Sequence, residues 1–174
     1  SKGKILFDEN DVTDLITEER NIAQVFQFPV IYNTMTVYDN LAFPLRCRKF
    51  SDQKIEERVK SVSDTLRLSS FLKSPARKLT ADQKQLISLG RGLVREDVAG
   101  VLMDEPLTVI DPDLKFRLRR NLKEINEQYK TTLVYVTHDQ NEAMTFADNI
   151  IVMDQGEIVQ VGLPKDLFEK PRTT

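Results

Sequence analysis

Val101-Leu102-Met103-Asp104-Glu105-Pro106-Leu107 is a short apolar run that stops at two adjacent carboxylates, and it continues as Thr108-Val109-Ile110-Asp111. Such a run reads as a buried strand that delivers acid groups to its carboxyl end, the edge where open α/β sheets bind ligands. Paired acids at that edge suit metal-assisted hydrolysis of a phosphoanhydride. The first can help hold Mg2+, and the second can orient or activate the attacking water. The plainer alternative is that Asp104 and Glu105 only polarise a strand-to-loop exit. A second apolar strand, Leu133-Val134-Tyr135-Val136, favours the chemical reading because it runs into Thr137-His138-Asp139, which holds the chain's only histidine.

The remaining composition narrows the class. A chain of 174 residues suits one domain with room for a subdomain and a sizeable core. With 25 Lys and Arg against 27 Asp and Glu, the net charge of −2 leaves no basic footprint for nucleic acid. Arg46-Cys47-Arg48-Lys49 and Arg117 to Arg120 are local basic clusters with acids close by, as on a solvated face. One cysteine, Cys47, excludes an internal disulfide and fits a reducing compartment. No apolar run approaches the ~20 residues of a membrane span, and Ser1-Lys2-Gly3-Lys4 does not open a signal peptide.

Outward from the acidic pair, strands and helices alternate. Ile5-Leu6-Phe7 is a short strand before an acidic turn, Asp8 to Asp11, and Asn21 to Gln27 is a second strand bounded by Pro29. From Tyr32 to about Arg95 the pattern is almost entirely helical. Thr36 caps a helix that Pro44 is expected to end or kink, and Ser51 caps one carrying Ile55, Val59, Val62 and Leu66. A short helical piece holds Phe71 and Leu72. Thr80 and Gln83 form a capping box for a helix with Leu86, Ile87, Leu89, Leu93 and Val94. Its Gly90 and Gly92 each cost about 1 kcal/mol of helix propensity relative to alanine, which points to close packing there. Asp111 and Pro112 start a helix to about Tyr129, with Leu114, Leu118, Leu122 and Ile125 inward. Strand Thr132 to Val136, helix Gln140 to Phe146, a hairpin around Asp154-Gln155-Gly156 and a last helical turn from Pro164 to Glu169 complete the order. This alternation argues for a mostly parallel sheet.

Taken together, these residues resemble the nucleotide-binding subunit of an ATP-binding-cassette transporter, along nearly the whole chain. Gln27 falls at the family's Q-loop glutamine, and Leu79-Thr80-Ala81-Asp82-Gln83 at its Leu-Ser-Gly-Gly-Gln signature. Asp104 and Glu105 match the Walker B aspartate and catalytic glutamate, Asp111 the D-loop aspartate, and His138 the switch histidine. Met35 to Arg46 and Thr137 to Ala143 look like the carbohydrate-importer branch. The Leu-Thr-Ala-Asp signature with Leu107 to Asp111 most resembles subunits for glycerol-type uptake.

The resemblance implies a RecA-like core of the P-loop NTPase class, split into residues 1–28, a helical subdomain 29–98 and residues 99–174. It implies ATP and Mg2+ as cofactors, with Asp104 and Gln27 at the metal and Glu105 as general base. Gln27 and His138 would complete the shell around the γ-phosphate. Thr80, Ala81, Asp82 and Gln83, with Asp111, would serve a nucleotide sandwiched against a second ATPase subunit. Permease subunits would be the other partners, holding the protein peripherally on the inner face of the membrane without insertion. A soluble ATPase acting on nucleic acid is disfavoured by charge, and a non-catalytic interaction fragment stays open.

Two departures qualify the resemblance. No Gly-x-x-x-x-Gly-Lys-Ser/Thr loop can be fitted to Gly3, Gly90, Gly92, Gly100, Gly156 and Gly162. In the family that loop precedes the segment resembling Lys4 to Phe7. The expectation is therefore an N-terminally truncated subunit that binds ATP weakly and is inactive alone; it also stops before the importers' C-terminal regulatory domain. In the signature, Ala81 and Asp82 replace both glycines. Asp82 at a helix N-terminus suits the dipole but repels a phosphate. Thr80 and Gln83, like Asp111, have a complete local explanation as caps.

Overall fold

The computed structural model describes residues 3–129 and 131–172, apart from the side chains of residues 125 and 127–129. The inward placement expected of Ile125 lies outside that description. The chain divides into two compact units, Ser1–Val134 and Tyr135–Thr174.

In the first unit, β1 (Leu6–Phe7) and β2 (Asn10–Asp11) form a tight antiparallel hairpin. The expected acidic turn is thus half turn and half strand: Asp8, at φ 52°, reverses the chain so that Asn10 can pair with Phe7. β3 (Ile22–Val25) is shorter than the sequence suggests and ends two residues before Gln27. It pairs in parallel with β4 (Gly100–Asp104), and the strand order of this sheet is β3-β4-β5, where β5 is Thr132–Val136. A parallel pair needs a long crossover, and here that crossover is the helical stretch between residues 36 and 94.

Three helices build it. α1 (Val37–Cys47) starts at Thr36, whose side chain accepts from the Asp39 N–H at 3.0 Å. Pro44 does not end this helix, which runs on to Cys47. A helix-interior proline costs about 3 kcal/mol. Burial of a Val or Leu side chain returns about 1.5–3 kcal/mol each, and Val37, Leu41 and Leu45 are all sealed from solvent on one face. Packing outweighs the lost hydrogen bond. α2 (Asp52–Thr65) is capped by Ser51 and buries Ile55, Val59 and Val62. α3 (Ala81–Leu93) follows two short 3-10 turns and carries the buried Leu86, Ile87, Leu89 and Leu93.

The two α3 glycines do the packing work expected of them. A Cβ on Gly90 would lie 2.6 Å from Leu41 Cδ2 and 3.1 Å from Leu66 Cδ1, and one on Gly92 would lie 2.6 Å from Val25 Cγ2. Gly90 lets α3 reach the other helices, and Gly92 lets it lie on β3. Arg58, buried on α2, donates from Nε to the Val94 carbonyl and from Nη2 to that of Leu93, so a cation closes the carboxyl end of α3. Both α1 and α2 end in Schellman turns. Lys49 and Arg67 occupy the left-handed position at φ 59° and 56°, and the N–H groups of Phe50 and Leu68 reach back to Leu45 and Ser63. After β4, α4 (Pro112–Tyr129) buries Leu118 and Leu122, while Leu114 is half-buried.

The second unit holds α5 (Gln140–Phe146), the antiparallel pair β6 (Ile150–Asp154) and β7 (Glu157–Gly162), and α6 (Pro164–Glu169). Gln155 and Gly156 sit at φ 46° and 84°, the double positive φ that a two-residue hairpin loop of matching twist requires. Gly162 admits Leu167, the buried residue of α6, whose Cδ1 would lie 2.9 Å from an added Cβ. Among the described residues no helix is long and apolar enough to cross a membrane.

Two substitutions test this packing. Arg67→Gly relieves left-handed strain at an exposed position and should raise stability by about 0.5–1 kcal/mol in urea unfolding. Gly92→Ala should lower it by about 1–2 kcal/mol, because overpacking against the stiff Val25 exceeds the gain in helix propensity.

Candidate functional site

The register of the parallel pair sets the site. Val25 stands opposite Met103, so β3 and β4 release their chains at the same edge of the sheet. Two residues beyond each of those positions lie Gln27 and Glu105. Their side chains meet: Gln27 Nε2 donates to Glu105 Oε2 at 2.9 Å across 78 residues of sequence. Thr108 Oγ1 donates to the same oxygen at 3.1 Å.

Glu105 has φ 43°, the left-handed region that non-glycine residues seldom occupy. Such a conformation costs about 1–3 kcal/mol and persists only where its surroundings over-determine it. Here they do. The Thr108 N–H closes a turn onto the Glu105 carbonyl at 3.2 Å, and Pro106 and Leu107 are buried immediately behind it. The outcome is a carboxylate turned off the strand axis and held from two sides. Asp104, one residue earlier, ends β4 as an exposed side chain.

One residue in this neighbourhood escapes the sequence reading. Gln85 of α3 is fully buried, and its Nε2 donates to the Phe26 carbonyl at 3.0 Å and to the Pro106 carbonyl at 2.9 Å. Its signal is a polar residue one turn before Leu89 on the helix's apolar stripe, a place where an amide needs partners.

The other expected residues have plain local geometry. Thr80 and Gln83 form the capping box in both directions: Gln83 N–H donates to Thr80 Oγ1 at 3.3 Å, and Thr80 N–H to Gln83 Oε1 at 3.1 Å. Ala81 is exposed and Asp82 half-buried in that first turn. Asp111 Oδ1 accepts from the N–H groups of Asp113 at 3.0 Å and Leu114 at 3.4 Å, which caps α4.

His138 belongs to the second unit, exposed just past β5. Glu142 of α5 holds residues that precede His138. This buried carboxylate accepts from Tyr135 Oη at 3.0 Å and from Thr137 Oγ1 at 2.9 Å. The Asp139 N–H donates to Thr137 Oγ1 at 3.0 Å, and Asp139 Oδ1 caps α5 through the N–H groups of Asn141 and Glu142. The residues on both sides of His138 are therefore pinned.

The family model described as ABC transporter matches residues 1–108. The chain is 43% identical over 171 residues to the Bacillus subtilis protein named uncharacterized ABC transporter ATP-binding protein YurJ, covering 98% of this chain and 46% of that one. It is 43% identical over 180 residues to the trehalose/maltose import ATP-binding protein MalK of Thermococcus litoralis, covering 100% and 48%. It thus spans about half the length of the curated relatives it matches. Among solved structures, cbiO1 of Clostridium perfringens, part of the ABC transporter complex cbiONQ, superposes with a TM-score of 0.84 at 26% identity, covering 98% of this chain and 69% of that one.

Glu142→Ala leaves two hydroxyls without their shared acceptor. It should cost about 1–3 kcal/mol and raise amide exchange selectively at Thr137, His138 and Asp139, read by hydrogen-exchange mass spectrometry.

Proposed function

The chain belongs to the ABC transporter family, and from that premise we propose that it serves in the ATP-hydrolysing subunit of an importer for a small sugar or polyol. The observation that carries the reading is the pairing of Gln27 with Glu105 at the common exit of two parallel strands. That edge holds a carboxylate in a fixed position by two donors, as a general base for an attacking water must be held. MalK of Thermococcus litoralis and MsmX of Bacillus subtilis, 42% identical and named for oligosaccharide import, support the sugar class. Glycerol-type uptake rests on residues 79–82 and 107–111 alone.

In this reading Glu105 takes the proton of the attacking water, and Thr108 and Gln27 orient its carboxylate. The residues present suit Mg2+, a hard cation satisfied by one or two carboxylates plus substrate phosphates. Asp104 offers an exposed carboxylate and Gln27 an amide oxygen, while no group of three or more His, Cys, Asp or Glu gathers among the described residues. The metal, when bound with ATP, supplies charge neutralisation on the phosphates. His138 contacts the γ-phosphate, and Thr80 to Gln83 with Asp111 act toward the nucleotide of a second ATPase subunit. Asp82, in place of glycine, weakens that composite site, as suits a heterodimer with unequal sites.

Residues 1–28 and 99–174 would form the ATPase core and 29–98 the helical subdomain. Phe28, 65% exposed, with Pro29 and Tyr32, offers the apolar face for a permease subunit that keeps the protein on the inner side of the membrane. Residues 1–174 contain no Gly-x-x-x-x-Gly-Lys-Ser/Thr loop and are expected to bind Mg-ATP weakly on their own; micromolar affinity by calorimetry would contradict this.

The decisive measurement is phosphate release by an importer whose ATP-binding subunit carries this sequence. Glu105→Gln should lower it by about 100-fold or more while ATP binding persists. Unchanged turnover would remove Glu105 from the chemistry.

A further inference from the structure

We propose that Gln85 is a positioning residue whose buried amide sets the distance between Gln27 and Glu105, so that one side chain of α3 governs the geometry of both. The residues it holds lie 59 and 21 positions away in sequence. Phe26 immediately precedes Gln27, and Pro106 immediately follows Glu105. Both acceptors of its NH2 are carbonyl oxygens, which cannot donate, so the amide turns its NH2 toward them and leaves its Oε1 buried without a hydrogen-bond partner among the described residues. Two N–H groups on one nitrogen therefore tether the two strand exits to a common point, 3.0 and 2.9 Å away.

The tether is rigid because its base is rigid. Gln85 has no exposed surface, and Leu86, Ile87 and Leu89 beside it are buried. Gly92 seats the same helix on β3 further along. Neither β3 nor β4 extends as far as Gln27 or Glu105, so ladder hydrogen bonds do not reach the two residues. Past the strand ends, Gln85 links the two exits from behind, and the 2.9 Å contact from Gln27 to Glu105 closes the arrangement in front. A change in the tilt of α3 would move both carbonyls together and carry the pair with them.

The geometric part of this inference is independent of activity. Its consequence for hydrolysis rests on the role proposed above for Glu105. The test uses the side-chain amide resonance of Gln27 in residues 1–174, first assigned by its loss in Gln27→Ala and by its response to Glu105→Ala. Gln85→Met keeps length and apolar volume but removes both donors. Val62→Ala, a buried change on α2 chosen to lower the melting temperature comparably, serves as control.

The expected result is that Gln85→Met abolishes the dependence of the Gln27 resonance on the Glu105 carboxylate, while Val62→Ala preserves it. Gln85→Asn, which keeps the amide but is too short to reach both carbonyls, should weaken the dependence; it decides the question should Gln85→Met not fold. A Gln27 resonance that responds to Glu105 in the Gln85 variants as it does in Val62→Ala would overturn the inference. In the hydrolysing importer, Gln85→Asn should lower kcat by about 10- to 100-fold with KM for Mg-ATP nearly unchanged. If the unsubstituted importer hydrolyses nothing, the functional reading fails and the resonance result still judges the tether.

Discussion

Parallel pairing of β3 with β4, in the register that sets Val25 against Met103, is the constraint on which the first unit depends. Parallel strands cannot be joined by a tight turn, so the chain must leave the sheet and return. It does so through the helices between residues 36 and 94, and the return delivers Glu105 to the edge where Gln27 has already emerged. A slip of one residue would send alternate side chains to the opposite face. The contact between Gln27 and Glu105 would be lost together with the burial of Val25, Val101 and Met103.

Register is protected by fit. Gly92 lets Val25 approach α3 more closely than a Cβ would allow, and Gly90 leaves room for the side-chain tips of Leu41 and Leu66. Glycine inside a helix is a local cost that only close packing offsets. The crossover is thereby locked to the sheet it spans, and Gln85 on the same helix reaches the loops at the sheet's edge. Packing along α3 and polar contacts at its start are two uses of one rigid element.

Capping chemistry recurs wherever the site's residues lie. Thr80 with Gln83, Asp111 and Asp139 each satisfy the first N–H groups of a helix. These are the groups that would otherwise face an anion. Their local hydrogen bonds account fully for their residue types without a nucleotide. Glu105 is different. Its left-handed backbone is a local cost that the turn to Thr108 offsets only in part, and its carboxylate takes one donor from Thr108 close by and one from Gln27, 78 residues away. For that reason Glu105 with Gln27, not the helix caps, carries the functional reading.

What the residues alone determined is whatever depends on near neighbours. The caps at Thr36, Ser51, Thr80 and Asp111, the hairpin at Gln155-Gly156, the helices on either side of β4 and the tight approach at both glycines follow from spacing and side-chain type. The ordered motifs also pointed to an ABC ATPase before any coordinates. Three things needed the folded chain. Pro44 stays inside α1 because the burial of Val37, Leu41 and Leu45 is settled by distant partners and exceeds the cost of one missing N–H. Asn10 and Asp11 become a strand because Asp8 takes a left-handed turn that composition does not announce. Gln85 gained its two carbonyl partners only when β3, β4 and α3 converged, since hydrogen bonds spanning 59 and 21 residues leave no periodic trace in a sequence.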